Sequence, residues 1–158
     1  MSRSRTALCL AATLLCASAI MYAADMQVGT WKMNLAKSKF SPANLAPKSS
    51  TSKIEATADG GLKVTVDAVD ADGKTIHYTF TAKYDGKDYP VTGDPNRDMV
   101  SYKRIDDSTY DATSKKGGKV TTTTHIVISK DGKTRTLTVT GTNAQGQKVS
   151  HTQVYDKQ

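Results

Sequence analysis

The sequence predicts an all-β protein: a single antiparallel up-and-down β-barrel of eight to nine strands. Three observations carry that prediction. Turn dipeptides recur at Asp59-Gly60, Asp72-Gly73, Asp85-Gly86, Gly117-Gly118, Asp131-Gly132 and Gln145-Gly146, and glycine there supplies the positive φ that tight hairpin turns require. The stretches between them are rich in Thr, Val, Ile and Tyr, which suit a pleated surface. Within those stretches apolar and polar residues alternate, giving each strand one face for a core and one for water.

The first 24 residues read as a signal peptide and residues 25–158 as the barrel domain. Arg3 and Arg5 form a basic start, Ala7 to Leu15 is a short apolar run, and small residues follow. Cleavage sites fit after Ala19, Ala23 or Ala24. The apolar run is too short to span a bilayer, so no stable membrane insertion is expected once the signal is removed. Both cysteines, Cys9 and Cys16, belong to the signal. An exported domain without disulfides leans toward a bacterial periplasmic or secreted protein held together by burial and strand pairing. Without Arg3 and Arg5, the 22 Lys and Arg fall to 20 against 15 acids, a net charge of +5. These are mostly lysines spread singly between acids, a pattern that blunts strand edges and argues against a nucleic-acid partner.

Taken in order, Val28 to Asn34 is the first strand, and Ala36 to Pro47, with Pro42 and Pro47, is an irregular excursion. Ser52, Ile54, Ala56 and Ala58 share a face on the next strand, as do Leu62, Val64, Val66 and Ala68 on the third. On the fourth, Ile76, Tyr78, Phe80 and Ala82 face inward and His77 outward. A three-residue loop at Ala71-Asp72-Gly73 pairs Val66 with Tyr78 and Val64 with Phe80; Asp59-Gly60-Gly61 is expected to align Ile54 with Val66. The stretch Lys87 to Arg97, stiffened by Pro90 and Pro95, reads as a long polar loop. Strands near Val100, Tyr110, Val120 to Ile128, Arg135 to Thr140 and Val149 to Tyr155 complete the set. In the last part, Asp131-Gly132 aligns Ile126 with Leu137 and Ile128 with Arg135, while the Gly146 turn is expected to align Thr138 with both His125 and His151. Eight or nine strands close into a small barrel that is either filled or holds one small ligand. The expected filling is Ile54, Val64, Val66, Tyr78, Phe80, Val100, Tyr102, Tyr110, Ile126, Ile128, Leu137 and Val139.

Gly29-Thr30-Trp31 resembles the Gly-x-Trp signature on the first strand of lipocalins and related calycins. The closing Val154-Tyr155-Asp156-Lys157 resembles the last strand of the fatty-acid-binding branch. Gly29 to Pro42 and Ala82 to Gly93 also look like small secreted bacterial proteins of no assigned function. The resemblance implies a lipocalin-like barrel in which Trp31 plugs one end. Two departures stand out: Pro42 and Pro47 break the segment that forms a helical lid in the fatty-acid-binding branch, and no C-terminal helix follows the last strand.

Among polar residues, Arg135 stands apart because it shares the inward face of Leu137 and Val139. A buried guanidinium needs a partner. It could grip a carboxylate ligand, stack on Trp31, or snorkel out at the rim. Tyr78, Tyr89, Asn96 and Arg97 are the other candidate ligand contacts, on the expectation that the loop from Asp88 to Asp98 borders the open end of the barrel. His125 and His151, read as two strands apart on the outer face, lie too far apart to share a zinc. Asp85, Asp88, Asp94 and Asp98 lack the spacing of an EF-hand, so no metal is assigned. No cofactor motif and no nucleophile elbow is present. The expectation is therefore a binding module rather than an enzyme. It would take a small apolar or amphipathic molecule, the alternative being a ligand-free barrel that contacts an envelope protein as an inhibitor or interaction partner.

Overall fold

Every turn between the long strands brings the chain straight back beside itself, and the last strand returns to the first. The computed structural model describes residues 25–158; the signal peptide read over residues 1–24 lies outside them. The strands are β1 (Gly29–Met33), β2 (Lys39–Ser41), β3 (Ser49–Ala56), β4 (Leu62–Val69), β5 (Thr75–Ala82), β6 (Tyr89–Thr92), β7 (Met99–Arg104), β8 (Thr109–Lys116), β9 (Lys119–Ile128), β10 (Thr134–Thr142) and β11 (Lys148–Lys157). All pairings are antiparallel. β1 joins β3 on one side and β11 on the other, which closes the sheet into a barrel of ten strands with β2 outside the cycle.

The count exceeds the expected eight to nine because two segments read as irregular contain short strands. β6 lies within the stretch read as a polar loop and contributes two residue pairs to each neighbour. β2 lies within the excursion from Ala36 to Pro47, flanked by single 3-10 turns at Leu35–Lys37 and Ala43–Leu45. Strands of three or four residues are too short to show a period.

β2 and β1 share one edge of β11: β1 pairs with Tyr155 to Lys157, and β2 pairs with Ser150 to Thr152. Between them the 3-10 turn interrupts the ladder, and its residues fill the gap. The Asn34 backbone N–H donates to the Val154 carbonyl at 2.7 Å, and the Val154 N–H donates to Ser38 Oγ at 3.0 Å. The backbone groups left by the break are thereby satisfied.

The register agrees with the sequence at Val66–Tyr78, Val64–Phe80, Ile126–Leu137 and Ile128–Arg135. It differs at two turns. Ile54 pairs with Val64 rather than Val66, because the turn closes one residue earlier, with the Thr57 N–H donating to the Gly61 carbonyl. Thr57 Oγ1 holds that closure by accepting from the Gly61 N–H at 2.9 Å. A two-residue shift keeps the same face inward, so the core survives the difference. The other turn matters more. Asn143 Oδ1 accepts from the N–H groups of both Gln145 and Gln147, fixing a turn that pairs Thr138 with Thr152 and Val139 with His151. The expected alignment of Thr138 with His151 is off by one residue, and one residue reverses the face. His151 therefore turns inward.

The buried core is Trp31, Ile54, Leu62, Val64, Val66, Phe80, Val100, Tyr102, Tyr110, Ile126, Ile128 and their neighbours. Ile76, Tyr78, Leu137 and Val139 also point inward but are only partly buried. Ile76 and Val139 lie toward the turns at 70–74 and 143–147, Tyr78 and Leu137 further along the same strands, and all four line an interior that is not filled.

Candidate functional site

One end of the barrel is sealed and the other opens into a cavity of about 660 Å³. The mouth is bordered by Asn44 and Leu45, by Asp70 and Asp72, by Pro95 and Asn96, and by Asn143 and Gln145. Two of these loops touch, with Gln145 Nε2 donating to Asn96 Oδ1 at 3.3 Å. Below the mouth the walls are mainly apolar, built by Val64, Val66, Phe80, Ile126, Leu137 and Val139 from alternate positions on four strands. Alternation makes this wall: every second residue of β4, β5, β9 and β10 faces the same space.

The loop between β6 and β7 follows Gly93, whose φ is +92°. A Cβ there would stand 2.2 Å from the His77 carbonyl oxygen, so the loop packs this closely against β5 only with glycine. That packing carries Arg97 into the cavity wall. Its Nε donates to Asp94 Oδ2 at 2.7 Å, Nη1 to Ser114 Oγ at 3.2 Å, and Nη2 to Tyr78 Oη at 2.7 Å. The guanidinium also lies 4.7 Å from the Tyr78 ring centre. Each of its three nitrogens is thus engaged. Burial pushes the Tyr78 hydroxyl up to about 12, against the pull of Arg97.

Tyr78, Asn96, Arg97 and Arg135 all line the cavity. Tyr89 is not part of the lining; its hydroxyl instead donates to Asp85 Oδ2 at 2.9 Å. Four of the five candidate contacts are therefore brought together.

Arg135 is 4% exposed and lies on the cavity floor. It neither snorkels nor stacks on Trp31. Its guanidinium stands 6.0 Å from the Tyr155 ring centre, and it is Lys157 that covers Trp31, at 5.1 Å. The reason is register: Arg135 pairs directly with Tyr155 on β11, whereas Trp31 pairs with Lys157. Arg135 Nη2 donates to Gln27 Oε1 at 3.2 Å, while Nε finds no partner among the described residues.

Beneath the floor lies the seal. Trp31, fully buried, donates its indole N–H to the Gln27 carbonyl at 2.7 Å. Gln27 Nε2 donates to Tyr84 Oη at 3.2 Å, and Asp25 accepts from the hydroxyls of Tyr84 and Tyr110. Burial, reinforced by the bonds to Asp25, raises both tyrosine pKa values. Gln27, itself wholly buried, thus touches the cavity floor with its amide oxygen and the seal with the rest.

His77 and His125 lie on the outer surface, each 2.7 Å from an aspartate on the neighbouring strand, Asp67 and Asp111. His151, now inward, lines the cavity; its Nδ1 accepts the Ser41 N–H at 3.2 Å, and its ring lies 5.3 Å from that of Phe40. Burial lowers its pKa. The four acids considered as a cluster have separate partners: Asp85 binds Tyr89, Asp88 binds Lys115, Asp94 binds Arg97, and Asp98 accepts from the Gly117 N–H.

Sequence reasoning missed Gln27, Ser50, His151, Gln153 and Tyr155 at the site. Alternation along β11 from Val149 carries a signal for three of these, since His151, Gln153 and Tyr155 follow it at every second position. Gln27 precedes the first strand and carries no periodic signal at all. No family model matches the chain, and no curated protein matches it at a significant level.

Proposed function

We propose that the protein is an exported, lipocalin-like binding module, periplasmic or secreted, that takes a small apolar or amphipathic molecule and performs no chemistry on it. One observation carries this reading: the cavity of about 660 Å³, open at one end, whose wall sets Val64, Val66, Phe80, Ile126, Leu137 and Val139 beside polar groups such as Arg97, His151 and Gln153. That volume lies within the range of small-molecule sites, and apolar walls with a few convergent polar groups are what such sites use. A barrel acting only through protein contacts has no need of an unfilled interior, because filling it with larger side chains would add stability. The calycin resemblance at Gly29-Thr30-Trp31 supports the same reading, with Trp31 as the structural plug of the sealed end. Placement outside the cytoplasm rests on the pattern of the first 24 residues.

Titration with an environment-sensitive apolar dye tests the reading, alongside Val139→Trp, which places an indole in the cavity opening. Wild type should bind one dye per barrel and the variant at least about tenfold more weakly. Equal binding by the two, or no binding by wild type, would refute it.

A further inference from the structure

We propose that the cavity selects a rigid ring molecule that is polar along one long side and apolar along the other, and disfavours chains whose only polar group is at one end. The inference rests on the binding reading above and gives its ligand a shape.

The order of strands decides which walls face each other. Around the closed sheet they run β1, β3, β4, β5, β6, β7, β8, β9, β10, β11 and back to β1. Half of that cycle of ten is five, so β4 stands opposite β9 and β5 opposite β10. From β4 and β5 the cavity is lined by Val64, Val66, Ala68, Ile76, Tyr78 and Phe80. All but Tyr78 present hydrocarbon alone, and the Tyr78 hydroxyl is engaged by Arg97 Nη2 at 2.7 Å.

The facing half, β9 to β11, is built differently. Ile126, Leu137 and Val139 are interleaved there with Thr122 and Thr124 on β9 and with His151 and Gln153 on β11. These polar groups are short of partners. The hydroxyls of Thr121 and Thr123 bond Ser114 and Thr140; those of Thr122 and Thr124 bond nothing among the described residues and open onto the cavity. Gln153 accepts the Tyr155 hydroxyl at its amide oxygen, at 3.5 Å, which leaves Nε2 to donate. His151 Nδ1 accepts the Ser41 N–H, so the neutral ring carries its proton on Nε2, a further donor.

These groups are also spread along the barrel. Thr122 pairs with Gly141, Thr124 with Val139 and so with His151, and Leu137 with Gln153. That makes three successive inward levels, a rise of about 13 Å. A ligand that covers these groups with hydrocarbon leaves each dehydrated and unpaired, which costs affinity at every one. A chain with a single polar head answers them at one level only. A molecule with oxygens along one side answers several and still lays hydrocarbon on Val64, Val66 and Phe80. Rings hold such oxygens on one side without the ordering cost that a flexible chain would pay.

The isomers 2,7-naphthalenediol and 2,6-naphthalenediol provide the probes. They share one formula, but the first carries both hydroxyls on one long side and the second carries one on each. Affinities are read from amide chemical shifts of the purified protein. Wild type should bind the 2,7 isomer about tenfold more tightly, because the 2,6 isomer must press a hydroxyl against the apolar wall. Thr122→Val with Thr124→Val, nearly isosteric, should bring the two affinities within about threefold. Ala68→Ser places a hydroxyl on the opposite wall and should raise the affinity for the 2,6 isomer alone, by about fivefold, so the inference stays testable should the double variant fail to fold. Equal affinities in wild type, or a preference unchanged by both sets of substitutions, would overturn the two-sided cavity and leave the binding reading standing. So would failure to bind either isomer while the dye still binds; failure with the dye as well would overturn both.

Discussion

Replacing Trp31 by alanine tests the sealed end directly. Trp31 is fully buried, packs in the main core cluster, lies beneath Lys157 and donates its indole N–H to the Gln27 carbonyl at 2.7 Å. Deleting a large core aromatic costs about 3–5 kcal/mol. The Gln27 carbonyl would also lose its donor in a buried setting, a further penalty of about 1–3 kcal/mol unless water reaches it. The lower end of that sum, about 4 kcal/mol, is about a quarter or more of the stability of an ordinary domain. With a denaturant slope of about 2 kcal/mol/M, the urea midpoint should fall by about 2 M. Far-UV circular dichroism is the appropriate probe, because Trp31 is the sole tryptophan and its fluorescence disappears with it. Trp31→Phe separates the two contributions: it keeps most of the apolar volume and loses the N–H, so it should cost about 1–3 kcal/mol. A Trp31→Ala midpoint equal to that of wild type would refute the plug.

Three further outcomes are expected. Gly93→Ala should destabilise the fold by about 2 kcal/mol or more, since its Cβ would collide with the His77 carbonyl oxygen at 2.2 Å; an unchanged thermal midpoint would contradict the close packing of that loop. Tyr78, raised from 10.0 to about 12 by burial, favours folding below pH 10, where it is neutral in both states, and that contribution is lost as pH rises through about 12. Tyrosinate absorbance should therefore include a fraction that develops only above pH 10, and its full appearance with the first exposed groups would contradict the burial. His151, lowered by burial from 6.5, should titrate by NMR with a midpoint below that value, its stabilising contribution being lost as pH falls; a midpoint above 6.5 would mean that it is not packed against Phe40 as described.

The repeating parts of the fold were legible because turn chemistry and alternation are local. Asp72-Gly73 and Asp131-Gly132 each fixed a register that the structure keeps. Where side chains rather than glycine set the turn, the sequence misled. Asn143 and Thr57 clamp their own loops through their side-chain oxygens, and the Asn143 clamp moved His151 from the outer face to the cavity. Short β2 and β6 were hidden because three or four residues are too few to show a period, and β2 in addition takes its partner, β11, from distant chain. At the site, Arg135 was visible as a charge on an apolar face. Its partner was not: Gln27 lies 108 residues away in sequence, and nothing local announces a contact of that kind.

The pairing of β1 with β11 has a temporal side. Trp31 meets Lys157 and Met33 meets Tyr155, so the cylinder cannot close until the chain has been made through β11. Hairpins such as β4–β5 can form early, but the final closure joins segments more than a hundred residues apart, and contacts of such separation slow folding. Until then β1 and β11 each present an unpaired edge, the kind of surface on which strands of other molecules add. Lys32 in β1 and Lys148 and Lys157 in β11 place charge on those waiting edges. Their value belongs to the interval before the native state exists, when like charge on each open chain keeps one unfinished barrel from completing itself with another.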